Sequence, residues 1–235
     1  AGKTEGIMDK KVVIFDMDGT IFDSELLILD IWEKIGETYG IADVRQTLTE
    51  CIGTNKKKTE EIVYAHYGKD FDFAKYSGEA SLRFRKHIAE NGLPLKKGVR
   101  ELLQYLKAEN VPVGLASSTR LAVVEEELRQ AGLYEYFQVV VGGDQLKRSK
   151  PEPDIYLMAC EKMGVPPRNA YAVEDSHNGI RAAYSAGMMP VMVPDLLPAT
   201  EEMYEKSVAV FDDLLQVMRF FERNGFCGQP EGDTV

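Results

Sequence analysis

Asp16 and Asp18, one residue apart and followed by Gly19 and Thr20, are the residues of this sequence best suited to do chemistry. One carboxylate of such a pair can attack phosphorus, because aspartyl phosphates are an established class of covalent intermediate. The other can give a proton to a leaving group and later take one from water. A hard cation such as Mg²⁺ would hold the phosphate and offset the carboxylate charge. The same letters also spell a strand that ends in an Asp-Gly turn with capping side chains. A calcium loop of the EF-hand type opens with Asp-x-Asp too, but it needs a glutamate at its twelfth position. Counted from Asp16, that position is Leu27, which excludes the calcium loop.

The pair must be positioned by what precedes it. Val12, Val13, Ile14 and Phe15 form a short apolar run rich in β-branched residues. Such a run reads as a strand buried on both faces, as in a parallel sheet. Asp16 and Asp18 then lie at its carboxyl end, where open α/β sheets bind ligands. After Glu25 the period changes: Leu26, Leu29, Trp32 and Ile35 are spaced for a helix that stops at Tyr39-Gly40. Segments 42–51, 55–67 and 71–91 read as further helices, separated by Gly53 and Gly68 and closed by Gly92. No strand is expected between Gly40 and about Leu93, so residues 25–93 read as a helical insertion over the carboxyl end of the first strand, where a lid would sit.

From Pro94 helices and strands alternate. Strands are expected at 111–116, 138–141, 170–173, 190–193 and 208–211. Helices are expected at 98–109, 120–131, 154–163, 178–186 and 212–224. That rhythm predicts βαβ units and a mostly parallel sheet. Its other strand ends then share one edge with Asp16. They supply Ser117, Ser118, Thr119 and Arg120, then Ser149-Lys150-Pro151, then Glu174, Asp175 and Ser176. Each alone has an ordinary use: Ser117 to Thr119 could cap a helix, and Glu174 and Asp175 could favour a helix dipole. Together with Asp16 and Asp18, the acids would repel one another unless a cation joined them. Mg²⁺ held by Asp16, Asp175 and a backbone carbonyl would relieve that. The cation, Lys150 and a serine hydroxyl could then bind a phosphate dianion.

Composition bounds the reading. The chain has 235 residues, long enough for a sizeable core, and a net charge of −10. That charge argues against a nucleic-acid or anionic-membrane surface. Cys51, Cys160 and Cys227 are scattered, which indicates neither a disulfide framework nor a zinc site. No apolar run is long enough to span a bilayer, so a soluble cytoplasmic protein is expected, compatible with a monomer.

DMDGT, LASS, SKPEPD and VEDSHNGI occur in this order, each at an expected strand end. They resemble the four motifs of the haloacid dehalogenase (HAD) superfamily, and the helical insertion resembles the cap of its β-phosphoglucomutase-like and phosphatase branch. The resemblance implies an α/β fold with a Rossmann-like parallel-sheet core, 9–24 and 94–225, and an inserted helical cap, 25–93. Residues 1–8 and 226–235 are set aside as flexible tails. It also implies roles. Asp16 is nucleophile and Mg²⁺ ligand. Asp18 is acid/base and lends its carbonyl to the cation. Ser117, with Ser118 beside it, and Lys150 bind the phosphoryl group. Asp175 ligates Mg²⁺, and Glu174 supports the metal shell.

The presence of Asp18 favours phosphate-ester chemistry over dehalogenation, because an alkoxide leaving group needs a proton. β-Phosphoglucomutases carry a histidine in the first cap helix, where this chain has Ile28. Other mutase-like positions are kept: Lys56, three residues after Gly53, and Thr119 and Arg120, which match groups that hold a second phosphate. The next position, an amide in the mutases, is Leu121. The expectation is a Mg²⁺-dependent phosphatase for a small phosphorylated metabolite such as a sugar phosphate. A hexose-phosphate mutase is the alternative, and a non-catalytic metabolite-binding protein is a third. His177, beside the fourth motif, could face the site or solvent.

Overall fold

The computed structural model describes residues 10–52 and 56–226, with Lys56 described by its backbone alone. Val12–Phe15 is the first strand, β1, and all four of its residues are buried. Alternate side chains leave opposite faces of a strand. Val13 and Phe15 enter one apolar cluster, while Val12 and Ile14 enter another. That division is why the run is apolar at every position rather than at every second one.

The remaining strands are β2 (Val113–Ala116), β3 (Val139–Val141), β4 (Ala170–Glu174), β5 (Met189–Met192) and β6 (Ala209–Val210). They form one sheet in the order β3-β2-β1-β4-β5-β6, and every pairing is parallel. This is a Rossmann-like α/β fold. Its strand order reverses between β1 and β4, and ligands of open α/β sheets bind at such a switch point, beyond the carboxyl ends of the strands. Asp16 follows β1 there, and Glu174 closes β4 beside it.

Helices cover both faces. On the Val13/Phe15 side lie α5 (Val99–Ala108), α6 (Leu121–Gln130) and α10 (Leu214–Asn224). On the Val12/Ile14 side lie α7 (Asp154–Met163) and α8 (His177–Ser185). A short helix, α9 (Glu201–Lys206), buries Met203 against Ile180 and Met192. The sequence reading did not contain it, because six residues are too few to show a helical period.

Among the described residues, four helices separate β1 from α5: α1 (Ser24–Tyr39), α2 (Val44–Glu50), α3 (Lys56–Tyr67) and α4 (Phe73–Asn91). Gly40 ends α1 in the left-handed conformation that glycine adopts without strain. Ile31, Trp32, Ile35, Val44 and Ala80 form an apolar cluster of their own, with Trp32 stacked on Phe73. Observed element ends differ from the expected ones by one or two residues, as helix and strand ends do. Phe226, which the sequence reading placed in the tail, is buried against Phe221 and Tyr171. Residues 1–9 and 227–235 lie outside the described residues.

Candidate active site

The ends of β1, β2 and β4 bring most of the expected residues together. Asp16 is buried, and its backbone N–H donates to the Val173 carbonyl at 2.9 Å. Its Oδ1 accepts from Lys150 Nζ at 2.8 Å. The same ammonium reaches Glu174 Oε1 at 2.5 Å and the Ala116 carbonyl at 3.4 Å. The Tyr156 hydroxyl donates to Glu174 Oε1, also at 2.5 Å. Burial opposes the charge on Lys150, but Asp16 and Glu174 outweigh it, and its pKa is raised. Lys150 is therefore a fixed cation between two strand ends.

Asp18 is held from both sides. Ser24, in the first turn of α1, donates to Oδ1 at 3.1 Å, and Thr119, beyond β2, donates to Oδ2 at 3.0 Å. Ser117 is buried, and its Oγ accepts the Thr119 backbone N–H at 3.1 Å. The chain can double back between Asp18 and Ser24 because Gly19 takes φ +81°. Ser118 and Arg120 are exposed next to this cluster, and neither is tied into it. The Lys56 side chain and Gly53 lie outside the described residues. His177 Nε2 pairs with the Pro198 carbonyl at 2.9 Å.

Oxygens of Asp16, Glu174 and Asp175 lie within 4.8 Å of one another, all on buried residues. Among the described residues, Lys150 is the cation paired with Asp16 and Glu174. Burial, then the charges of Asp16 and Glu174, push the Asp175 carboxyl well above its ordinary pKa. Glu174 is raised too, by burial and then by Asp16, against the opposing pull of Lys150. A Cβ on Gly19 would sit 2.2 Å from Asp175 Oδ2, so the backbone there must stay bare. An all-carboxylate, undercompensated set of this kind fits a hard, oxygen-preferring divalent cation.

The sequence reading missed several residues that complete this arrangement. Thr20 donates to Asp175 Oδ1 at 3.2 Å, and Ser24 touches Asp18. Both follow the Asp-x-Asp-Gly run closely, and their hydroxyls were the available signal. Tyr156 sits in the first helix after Lys150 among apolar residues and reads as core. Asp195 follows β5, and inspection of that strand end would have found it. It lies with Glu25 and Asp175 in a second acidic group, where Lys96 Nζ meets Asp195 Oδ1 at 2.5 Å. Burial, and then Asp195, raise Glu25 to about 7.

Residues 13–193 match the model of the haloacid dehalogenase-like hydrolase family. This chain belongs to that family. Thermotoga maritima has a phosphorylated carbohydrates phosphatase that is 36% identical over 182 residues, covering 76% of this chain and 82% of that protein. A beta-phosphoglucomutase of Bacillus subtilis is 32% identical, covering 78% and 83%. In fold alone, the chain is like a HAD-family hydrolase from Deinococcus radiodurans, with a TM-score of 0.79 at 22% identity over 95% of this chain and 100% of that one. The chain is a phosphoric monoester hydrolase of the HAD type, which removes the non-catalytic alternative. Among the described residues, no helix is long and apolar enough to cross a membrane.

Proposed function

We propose that this HAD hydrolase is a Mg²⁺-dependent phosphatase that works through an aspartyl phosphate on Asp16, with a small phosphorylated metabolite, a sugar phosphate in the first instance, as substrate. The observation that carries the reading is the contrast between the two carboxylates. Asp16 is pinned by Lys150, while Asp18 is held by two neutral hydroxyls. The first arrangement suits a nucleophile that must not wander, and the second suits a group that exchanges a proton.

In the first step an Asp16 oxygen bonds to phosphorus as the bond to the leaving oxygen breaks. Asp18 delivers its proton to that oxygen. In the second step Asp18 takes a proton from water, and the resulting hydroxide attacks phosphorus. The acyl-phosphate bond breaks, Asp16 is regenerated and inorganic phosphate leaves. Lys150 and the Ser117 hydroxyl hold phosphoryl oxygens throughout. To act on substrate, Asp18 must release one of its hydroxyl partners, and Thr119, exchangeable at the edge of the site, is the one assigned. Asp16, Asp175 and the Asp18 carbonyl would hold Mg²⁺, with Glu174 behind them. When bound, the cation offsets charge on the phosphoryl oxygens.

Helices α1 to α4 would act as the cap, with Ser24 joining it to Asp18. Ile28, in place of the mutase histidine, favours hydrolysis over phosphoryl return to a sugar. A net charge of −10 supports a free metabolite as partner rather than nucleic acid or an anionic membrane. The test is Mg²⁺-dependent phosphate release over a panel of sugar phosphates, beside an assay for isomerisation of β-glucose 1-phosphate. Release that vanishes in Asp16→Asn is expected. Isomerisation without release would replace the phosphatase by a mutase.

A further inference from the structure

Asp175 belongs to two acidic groups at once. It lies with Asp16 and Glu174 in one and with Glu25 and Asp195 in the other, and within each group the oxygens lie within 4.8 Å of one another. The proposed function uses the first group only. In the second, Glu25 comes from the first turn of α1, and Asp195 follows β5. The side chain of Asp195 is only 6% exposed. Its Oδ1 meets Lys96 Nζ at 2.5 Å, an ammonium that also lies 3.7 Å from Asp23 Oδ1. Its Oδ2 is buried and accepts no hydrogen bond from the described residues. That oxygen is aimed towards Asp175: the point a Cβ on Gly19 would take lies 3.2 Å from it and 2.2 Å from Asp175 Oδ2.

A buried carboxylate oxygen needs a donor, and water can be that donor where there is room for it. Glu25 and Asp175 line a cavity of about 290 Å³ with Ser176, His177 and Asn178, and Leu196, next to Asp195, lines it too. At about 30 Å³ per molecule it has room for several waters, among polar groups able to order them. Mg²⁺ demands a near-octahedral shell and gives up its water reluctantly. Asp16, Asp175 and the Asp18 carbonyl would fill half of that shell, which leaves positions to water beside the phosphoryl oxygen. The protons of such water point away from the cation and bond most strongly to charged acceptors. On Glu174, Oε1 is already taken by Lys150 and Tyr156. Glu25 and Asp195 are carboxylate acceptors beside Asp175 that the direct ligands do not use.

We propose that Glu25 and Asp195 are positioning residues for the cation: they accept hydrogen bonds from its water rather than binding it directly. They thereby make the site prefer Mg²⁺, which keeps water, to Ca²⁺, which takes more oxygens directly and in looser geometry. This rests on the reading that Asp175 ligates the cation, and it adds what sets the choice of metal.

The test is Mn²⁺ binding to the substrate-free protein, read from the EPR signal of free Mn²⁺ and competed with Mg²⁺ or with Ca²⁺. In Glu25→Gln and in Asp195→Asn, Mg²⁺ affinity should fall by about tenfold or more, and Ca²⁺ affinity should fall less. The ratio of the two affinities is the readout that a merely structural role would not move. Both ions carry the same charge, so a loss that came from net charge or from loosened packing would weaken both alike. Equal losses, or none, would overturn the proposal. A larger loss for Ca²⁺ would make the two residues direct ligands and overturn it as well. Glu25→Gln keeps the shape of the side chain, so the test stands even where Asp195→Asn does not fold. Asp175→Asn separates the two readings. Mn²⁺ binding that survives this change, or no binding to the parent, would overturn the metal reading and the proposal with it. Binding lost in Asp175→Asn but untouched in Glu25→Gln and Asp195→Asn would overturn the proposal alone.

Discussion

Tyr156 Oη and Lys150 Nζ converge on one oxygen, Glu174 Oε1, each at 2.5 Å. Glu174 is fully buried, so its charge is tolerable only while these donors remain. The pair thereby fixes the carboxylate behind Asp16 and leaves the Lys150 ammonium aimed at Asp16 Oδ1.

Tyr156→Phe removes one donor and almost no volume. It should cost about 1.5–3 kcal/mol of stability, the worth of a hydrogen bond to a charged group. Turnover should fall with little change in KM, because Lys150 is repositioned rather than lost. Thermal unfolding and steady-state kinetics check both parts. Unchanged stability and unchanged turnover would show that the hydroxyl holds nothing.

Lys150→Met leaves Asp16 and Glu174 without their shared cation. Breaking a buried pair in this way costs about 3–5 kcal/mol. Glu174 and Asp175, whose carboxyls the fold already pushes up, hold protons in the folded state that the unfolded chain has released, so the native state is favoured as pH falls. The variant's loss of stability should therefore be larger at pH 8 than at pH 5. Urea unfolding at the two pH values checks the sign, and an equal loss at both would contradict it.

Metal removal should expose a pH dependence. Glu25 keeps its proton up to about 7 in the fold, while an unfolded glutamate releases it near about 4.3. Between these values the folded state binds more protons, so this group's contribution to stability falls as pH rises. Asp175, raised well above its ordinary value, acts in the same direction. Melting in chelator across pH 5 to 8 should show that decline, and Glu25→Gln should flatten it. Mg²⁺ should restore more stability at high pH than at low pH, because it favours the charged carboxylates. A Glu25→Gln profile parallel to the parent's would remove Glu25 from the account.

Gly19→Ala tests the cradle around Asp175. The added Cβ would meet Asp175 Oδ2 at 2.2 Å and Asp195 Oδ2 at 3.2 Å, at a φ of +81° that alanine rarely adopts. Displacing a ligand's support weakens metal sites by about 10- to 100-fold. The Mg²⁺ concentration needed for half-maximal activity should rise by that order. An unshifted requirement would place the cation elsewhere.

The parallel sheet was legible because β1 is apolar at every position, a pattern that burial on both faces forces. The strand ends could then be read as one edge, which brought Asp16, Lys150 and Asp175 to one place. Tyr156 was not legible, because a tyrosine in a helix's apolar face looks like core until its hydroxyl's partner is seen. Asp195 was missed for a different reason: the end of β5 carried no motif. Helix α9 is held by burial of Met203 rather than by its own period, so local pattern could not show it.

The central claim is that phosphate passes through Asp16. The most direct measurement is acid quench of the enzyme during turnover, followed by mass spectrometry of the peptide that carries Asp16. The account predicts one phosphoryl group on that peptide, absent in Asp16→Asn and absent without substrate. Steady phosphate release from Asp16→Asn at the parent rate, with no label on the parent's peptide, would contradict it.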